Sequence, residues 1–424
     1  MRRQVRDEGR NVSGGLFGRP LSRRSFLAGT MLAGVATPTL ASLLAACGKS
    51  ASESSGGLSI PAPTNPVRWP ISTRNPAIKP GLRPERGSTL RIYNYASYLG
   101  PKVIKDFEDT YGVDISVSTF NDEDEALNKL ASGQLKFDLY FPSYDSLARL
   151  VSANLLRPLT HEYITNIDNV WAQFKNPWYD QGWRYSVPYS VYTTGIGWRT
   201  DLVSEDIGAR ENPYDVFWDP RYAGNIALID DWHTAMGMVL LRNGIYDINT
   251  TKAADIKLMH DQMIDMLGKT KPRVTVNMYT DLPAGQYGLS QMWSGDVVNA
   301  QYYLPKGQSA DVLRYWFPKD GRGMVDNDLM VVLAQGGNPV AAHFFINYLL
   351  DAKVASQNFG YIGYQPPQNS INPTELVADE YLPQNLATAT VLPRYFTEGA
   401  RLLQLPQAAD NAYHQIWQEF KAGG

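Results

Sequence analysis

An alternation of apolar patterns between residues 90 and 141 constrains the fold more than any other feature of the sequence. The predicted elements, in order, are a strand at 90–93, a helix at 101–111 that Gly112 ends, a strand at 113–117, a helix that Asn121 or Asp122 begins, and a strand at 137–141. Strands that alternate with helices predict a parallel α/β sheet.

The same pattern returns later in the chain. Residues 225–229 form a predicted strand that ends at Asp230-Asp231 before a helix, and residues 289–293 form one that ends at Gly295-Asp296. The body of about 340 residues is longer than one core usually supports, so we expect two α/β lobes with a cleft between them. Ligands bind beyond the carboxyl ends of the strands in such sheets.

The first 46 residues have the layout of an export signal. They hold seven arginines against only Asp7 and Glu8, and they turn apolar from Phe26 onward. The Ser-Arg-Arg-Ser-Phe-Leu sequence at residues 22–27 is similar to a twin-arginine signal. Because the apolar run is diluted by glycine, threonine and proline, it is a poor candidate for a membrane-spanning helix.

Cys47 follows Leu44-Ala45-Ala46, which is similar to the bacterial lipobox, where a peptidase cuts before a cysteine that carries lipid. The alternative is a buried free cysteine, the usual state of an internal Cys. The position of this single cysteine after a signal-like run favours lipidation. Residues 47–87 are rich in Ser, Gly and Pro, which predicts a semi-extended tether to the membrane.

Charge and motifs exclude several classes of function. Removal of the signal leaves 32 Lys and Arg (39 less seven) against 40 Asp and Glu (42 less two), so the net charge moves from −3 to −8. An acidic surface disfavours nucleic acid as a partner. None of the five histidines belongs to a recognisable zinc or nucleophile motif, so we expect neither an enzyme nor a cofactor or metal. These are His161, His233, His260, His343 and His414.

Over nearly the whole mature body, the sequence resembles the solute-binding lipoproteins of ABC importers, specifically the spermidine/putrescine-binding family. The order and spacing of several segments carry the resemblance: IYNYASY (92–98), DLYFPSY (138–144), YSVPY (185–189), GIG (195–197), FWDPRYAG (217–224), IDD (229–231), WSGD (293–296), a helix at 341–351 and FGYIGYQP (359–366).

The resemblance also implies a division of the chain into two lobes, with boundaries that the patterns above do not give. It implies a two-lobe fold of the type II periplasmic-binding-protein class, each lobe a mostly parallel sheet flanked by helices, with a hinge of crossing strands. Lobe 1 would comprise residues 88–196 and 297–335, and lobe 2 residues 197–296 and 336–424. The implied protein is a monomer outside the cell membrane, with a polyamine as ligand and an ABC permease and its ATPase as partners.

The implied pocket places carboxylates, which pair with ammonium groups, between aromatic side chains that cover the methylene groups. The implied ligand-binding residues are Tyr95, Tyr98, Ser143, Tyr144, Tyr192, Asp231, Trp293, Asp296, Asp328, Tyr364 and Gln365. Each has a structural alternative, since aromatic residues at strand ends also fill cores and Asp231 and Asp296 can begin helices. Asp145 and Thr234 depart from the family, which has an aromatic residue and a second acid there.

Other ligands of the same fold remain open from the sequence. An iron-binding relative would use adjacent tyrosines, which Tyr302-Tyr303 offers, although packing of these rings at a helix is the simpler interpretation. Thiamine or another organic cation would use the same acids and rings. His233, next to Asp231, is the one histidine placed to contact a ligand, although a position on the surface of a first helical turn is the simpler expectation.

Overall fold

A computed structural model describes residues 60–423, which contain nine strands and eleven α-helices. The strands are β1 (Thr89–Tyr95), β2 (Asp114–Phe120), β3 (Leu139–Tyr140), β4 (Ser186–Arg199), β5 (Ile226–Ile229), β6 (Arg273–Thr275), β7 (Leu289–Trp293), β8 (Leu313–Trp316) and β9 (Met324–Val332). The helices are α1 (Pro101–Tyr111), α2 (Glu123–Ala131), α3 (Leu147–Ser152), α4 (Trp232–Arg242), α5 (Ala253–Thr270), α6 (Met278–Asp281), α7 (Ser294–Ala300), α8 (Pro339–Leu349), α9 (Ala352–Ile362), α10 (Tyr395–Glu398) and α11 (Gln407–Ala422).

The ends of the first helices follow the capping residues in the sequence. Pro101 opens α1, where its missing N–H costs nothing, and Gly112 ends it in the left-handed conformation at φ 66°. The Asp122 carboxylate caps α2 by accepting the Glu125 N–H at 2.7 Å. The predicted start and end of α1 and the cap of α2 are therefore confirmed.

The strands form one mixed sheet in the order β2-β1-β3-β9-β4-β7-β5-β6, and β8 pairs with β4. The pairs β1–β2, β1–β3, β5–β6 and β5–β7 are parallel, while the pairs made by β4 and β9 are antiparallel. The α/β prediction is confirmed, with these antiparallel pairs added at the centre.

Strands β4 and β9 link the two halves of the sheet. At one end of β9, Val331 pairs with Tyr140 of β3, and at its other end Met324 pairs with Thr194 of β4. Beyond Thr194, β4 continues along β7 and β8. These two strands are therefore the crossing strands that the sequence predicted for the hinge.

Helices α8 and α9 pack against α1, although the sequence-based division places them in lobe 2. The rings of Phe107 and Phe345 lie 4.9 Å apart, and Asn358 Oδ1 accepts the Gly100 N–H at 2.9 Å. The Tyr348 hydroxyl donates to the Val103 carbonyl at 3.1 Å. These contacts attach residues 339–362 to the half of the sheet that contains β1.

Residues 60–87, here called the strap, lie on the body rather than standing free as the predicted tether would. Trp69 is fully buried, and its indole N–H donates to the Tyr179 carbonyl at 2.7 Å. At the other end of the strap, both Glu85 carboxylate oxygens accept backbone N–H groups at the start of α8. The tether prediction is wrong from residue 60 onward, because a buried tryptophan and a helix cap fix this segment. The signal, Cys47 and residues 48–59 lie outside the described residues.

Among residues 60–423, no helix combines the length and the apolar character that crossing a lipid bilayer requires.

Candidate functional site

A cleft of about 1170 Å³ opens where six strands end. Its wall contains residues at the carboxyl ends of β1, β2, β3, β5, β6 and β7: Tyr95, Phe120, Ser143, Asp231, Asn277 and Trp293. Side chains from the middle of the crossing strands, Tyr192, Asp326 and Asp328, line it as well. The cleft therefore lies where the strand pattern of the sequence predicts a ligand.

Five aromatic side chains form a continuous surface in the cleft, here called the aromatic wall. Consecutive rings of the wall meet edge to face, with centroids 5.7 Å apart for Tyr95–Tyr98, 4.9 Å for Tyr98–Tyr364, 5.6 Å for Tyr364–Tyr192 and 6.2 Å for Tyr192–Trp293. Tyr98 and Tyr364 are buried, while Tyr95, Tyr192 and Trp293 are partly exposed, and aromatic ring faces attract cations and cover methylene groups. The sequence named all five residues, and the structure brings them together.

Asp328 lies against this wall without a cationic partner. Its Oδ2 accepts the Tyr98 hydroxyl at 2.6 Å and its Oδ1 accepts the Tyr192 hydroxyl at 3.1 Å. Burial raises the pKa of Asp328 to about 7, although both tyrosine hydrogen bonds act to lower it. An ammonium group at this carboxylate would remove most of that penalty.

Asp296 is the second buried acid at the wall. Its Oδ1 accepts the Tyr364 hydroxyl at 2.8 Å, whereas its Oδ2 has no hydrogen-bond partner among residues 60–423. Burial raises the pKa of Asp296 to about 7. A buried oxygen without a donor is costly, so this atom is suited to receive an N–H from a ligand.

Gly295 lies in the first turn of α7. A Cβ at Gly295 would lie 2.3 Å from the Tyr364 ring. The glycine therefore makes room for Tyr364 to reach Asp296.

A further acidic group lies at the end of the cleft near α2. The Ser143 hydroxyl is 2.5 Å from Glu123 Oε2 and 2.6 Å from Asp145 Oδ1. Burial, with the nearby charge of Asp145, raises the pKa of Glu123 to about 8. Glu123 was not predicted from the sequence, because an acid in a first helical turn is also an ordinary dipole partner.

Asp231 lines the cleft and also begins α4, where it accepts the Thr234 N–H at 2.6 Å. Asp231 thus fits both the structural interpretation, as a helix cap, and the ligand-binding one, and burial is the main cause that raises its pKa.

His233 is buried and lines the cleft, so its predicted surface position is wrong. Its ring stacks on Trp232 at 4.8 Å, and burial lowers its pKa to about 4.

Acidic side chains outnumber basic ones in the lining of the cleft. Ten carboxyl groups line it, against the two permanent cations Arg149 and Lys421. Both cations are paired, Arg149 with Asp124 at 2.5 Å and Lys421 with Asp230 at 2.9 Å. The acids are Asp122, Glu123, Asp124, Asp145, Asp230, Asp231, Asp296, Asp326, Asp328 and Asp410. The carboxyls that are ionised attract cations into a cleft with low-dielectric walls.

Two of the residues named from the sequence are engaged elsewhere. Gln365 does not line the cleft, because its side chain exchanges hydrogen bonds with the Val391 backbone at 3.0 Å in both directions. Tyr144 lines the cleft, but its hydroxyl donates to the Leu402 carbonyl and lies 3.1 Å from Asp326 Oδ1.

Tyr302 and Tyr303 do not line the cleft, although the Tyr303 ring packs edge to face at 5.3 Å on Tyr279, which does. The Tyr302 side chain is 59% exposed and its hydroxyl donates to the Gly360 carbonyl at 3.0 Å, so the expected packing in the core is wrong. Across residues 60–423, no three His, Cys, Asp or Glu side chains are grouped as metal ligands would be. The iron alternative therefore has no support from this pair.

Two α/β halves joined by crossing strands, with an acidic and aromatic cleft between them, are the features of an extracytoplasmic solute-binding protein. The chain belongs to the bacterial extracellular solute-binding protein family, whose pattern matches residues 102–384. It is 25% identical over 360 residues to the putrescine-binding periplasmic protein of Escherichia coli (strain K12), covering 82% of this chain and 95% of that one. It is 26% identical over 339 residues to the spermidine/putrescine-binding periplasmic protein of the same organism, covering 79% and 92%.

Solved structures agree with this assignment. A putative spermidine/putrescine ABC transporter protein from Listeria monocytogenes superposes with a TM-score of 0.67 at 26% identity, over 78% of this chain and 98% of that one. The Tp0655 lipoprotein of Treponema pallidum superposes with a TM-score of 0.63 at 20% identity, over 78% and 99%, which shows the common fold. The predicted fold class and family are thus confirmed.

Proposed function

We propose that this protein captures a polyamine such as putrescine or spermidine outside the cytoplasm and delivers it to an ABC permease. The observation that carries the proposal is the pair Asp296 and Asp328, two buried carboxylates without a cation beside a continuous aromatic wall. The names of the two Escherichia coli relatives support the same class of ligand.

The chemistry of the cleft fits an amine with a methylene chain. Ammonium groups cannot be buried unpaired, and Asp296 and Asp328 would supply the charge and the acceptor atoms. Methylene groups gain free energy on leaving water, and the ring faces of Tyr95, Tyr192 and Trp293 would cover them. Asp145 and Asp231 would hold a second ammonium group at the other end of the cleft.

The two lobes would close over the ligand by bending the crossing strands β4 and β9. We keep the division at residues 88–196 with 297–335 and 197–296 with 336–424, except that the contacts of α8 and α9 favour counting residues 339–362 with lobe 1. Export by the twin-arginine route, cleavage before Cys47 and a lipid on that residue would keep the monomer near its permease and ATPase. No catalytic step is part of this function.

Isothermal titration calorimetry on the body, residues 60–424, tests the proposal. Putrescine, spermidine, thiamine, ferric iron and a neutral sugar are titrated separately. We expect saturable binding of an aliphatic polyamine and, with saturating ligand, a raised Tm through mass action. Binding of thiamine, iron or sugar with no response to any polyamine would refute the proposal.

Amine affinity should rise with pH between about pH 5.5 and about pH 8, because Asp296 and Asp328 have pKa values raised to about 7. At pH values below this pKa of about 7 both carboxyls are mostly neutral, so an entering ammonium group must displace a proton. Each displaced proton makes the affinity change up to roughly tenfold per pH unit. Calorimetry in buffers of different protonation enthalpy measures the released protons directly. An affinity that is flat across this range would show that neither acid pairs with the ligand.

A further inference from the structure

The side chain of Arg401 lies next to the cleft wall, where it contacts one carboxylate and the faces of two aromatic rings. Its Nε lies 3.6 Å from Asp326 Oδ1, and the side chains of Arg401 and Asp326 are only 9% and 5% exposed. The guanidinium carbon lies 4.1 Å from the centre of the Tyr144 ring and 4.9 Å from that of Phe396. Its Nη2 donates to Asn327 Oδ1 at 2.6 Å.

The backbone around Arg401 is tied in place. The Ala400 carbonyl accepts the Val325 N–H of β9 at 3.0 Å, and the Arg401 carbonyl accepts the Asn249 side-chain amide at 2.8 Å. Asn249 Oδ1 in turn accepts the Leu403 N–H at 2.7 Å. The guanidinium is thus a fixed part of the folded protein and not a mobile surface group.

A carboxylate between aromatic faces is the arrangement that binds an ammonium group. This arrangement occurs twice at the cleft, once open to it and once at its wall, where Asp326 and Tyr144 line the cleft and Arg401 and Phe396 lie behind them. The open site consists of Asp296, Asp328 and the aromatic wall, where the structure shows no cationic side chain on either acid. The occupied site consists of Asp326, Tyr144 and Phe396, and its cation is Arg401.

The two sites are neighbours on one strand. Asp326 and Asp328 are two residues apart in β9 and both line the cleft, so they project from the same face about 7 Å apart along the strand. That spacing is on the scale of the distance between neighbouring ammonium groups of a polyamine. An amine bound at Asp328 could extend to Asp326 if no other cation were there.

We propose that Arg401 is the internal cation of Asp326, which removes that carboxylate as an additional ammonium site and thereby restricts the cleft to diamines in preference to triamines and longer polyamines. This inference rests on the proposed function and specifies its substrate. A diamine places one ammonium at Asp296 and Asp328 and its other toward Asp145 and Asp231. The additional ammonium of a triamine would find Asp326 already paired with Arg401, and a second positive charge close to the guanidinium is strongly unfavourable.

The test compares putrescine and spermidine binding by calorimetry in the wild type, Arg401→Met and the double variant Arg401→Met/Asp326→Asn. Methionine keeps the packing on Tyr144 and Phe396 but removes the charge. We expect Arg401→Met to bind spermidine roughly tenfold or more tighter than the wild type, with little change for putrescine. The double variant removes the freed carboxylate as well, so the gain for spermidine should disappear.

The control for folding is thermal unfolding without and with ligand. Arg401→Met leaves Asp326 unpaired, so its Tm should fall and recover more with spermidine than with putrescine, while the double variant should regain Tm without ligand. If the wild type binds putrescine and Arg401→Met has the same ratio of spermidine affinity to putrescine affinity as the wild type, the inference about Arg401 is overturned. The proposed function would stand in that case. Loss of all binding in Arg401→Met would also overturn it, because the guanidinium would then contact the ligand. A wild type that binds no amine would instead refute the proposed function.

Discussion

Replacement of Asp296 by asparagine is expected to weaken polyamine binding roughly a hundredfold or more. Truncation of one partner of a buried charge pair costs about 2–5 kcal/mol, and the variant also replaces the unpartnered Oδ2 by an N–H donor that repels an ammonium group. Calorimetric titration of Asp296→Asn with putrescine measures the effect. The variant Asp109→Asn, on the exposed face of α1, is the matched control and should bind as the wild type does.

The same variant should stabilise the free protein at high pH. The folded-state pKa of Asp296, raised to about 7, lies above that of the unfolded chain, so the folded state binds the proton more tightly. Stability without ligand therefore falls as the pH rises from about 4 to about 7, and asparagine removes this term. We expect the free energy of unfolding of Asp296→Asn to exceed that of the wild type by roughly 1–3 kcal/mol at about pH 8, and its unfolding temperature to be higher accordingly. The difference should vanish near pH 4. Unchanged affinity together with unchanged stability would remove Asp296 from the site.

Replacement of Trp69 by alanine is expected to destabilise the body by about 3–5 kcal/mol. Trp69 is fully buried against residues of lobe 1, and alanine would lose both this burial and the hydrogen bond to the Tyr179 carbonyl. Urea denaturation followed by far-ultraviolet circular dichroism measures the free energy of unfolding.

Ile71→Ala is the control on the same strap, because the Ile71 side chain is 52% exposed. It should change the free energy of unfolding by no more than about 0.5 kcal/mol. If Trp69→Ala does not fold, Trp69→Phe keeps much of the burial and should show a smaller loss. Equal urea midpoints for the wild type and Trp69→Ala would mean that the strap adds nothing to the stability of the body.

The local elements of the fold were predictable because their signals are local. Pro101 and Gly112 set the two ends of α1, and the strand predicted at 289–293 is β7 (Leu289–Trp293). The strap was not predictable, because proline-rich segments lack a periodic pattern and only the tertiary structure shows what Trp69 contacts. The antiparallel pairing of β4 and β9 joins residues far apart in the chain, which no local pattern encodes.

The residues of the aromatic wall were predicted because the family resemblance indicated which residues bind ligand. The strand pattern indicated that they lie at the carboxyl ends of the strands. Arg401 and Asp326 were missed for two reasons. A lone arginine in a loop carries no motif, and the run Asp326-Asn327-Asp328 left open which acids face the cleft. The β4–β9 register settles this, since Tyr192 pairs with Asp326 and Ser190 with Asp328. Gln365 was named by position alone, and the Val391 backbone uses its amide.

The crossing strands have one more consequence, which concerns unfolding rather than ligand binding. Because β4 and β9 belong to both halves of the sheet, neither half can lose its structure without unpairing strands that the other half needs. Loss of structure in one half therefore removes hydrogen-bond partners from the other half. This sharing of strands limits the partly folded states that proteases outside the cytoplasm could attack.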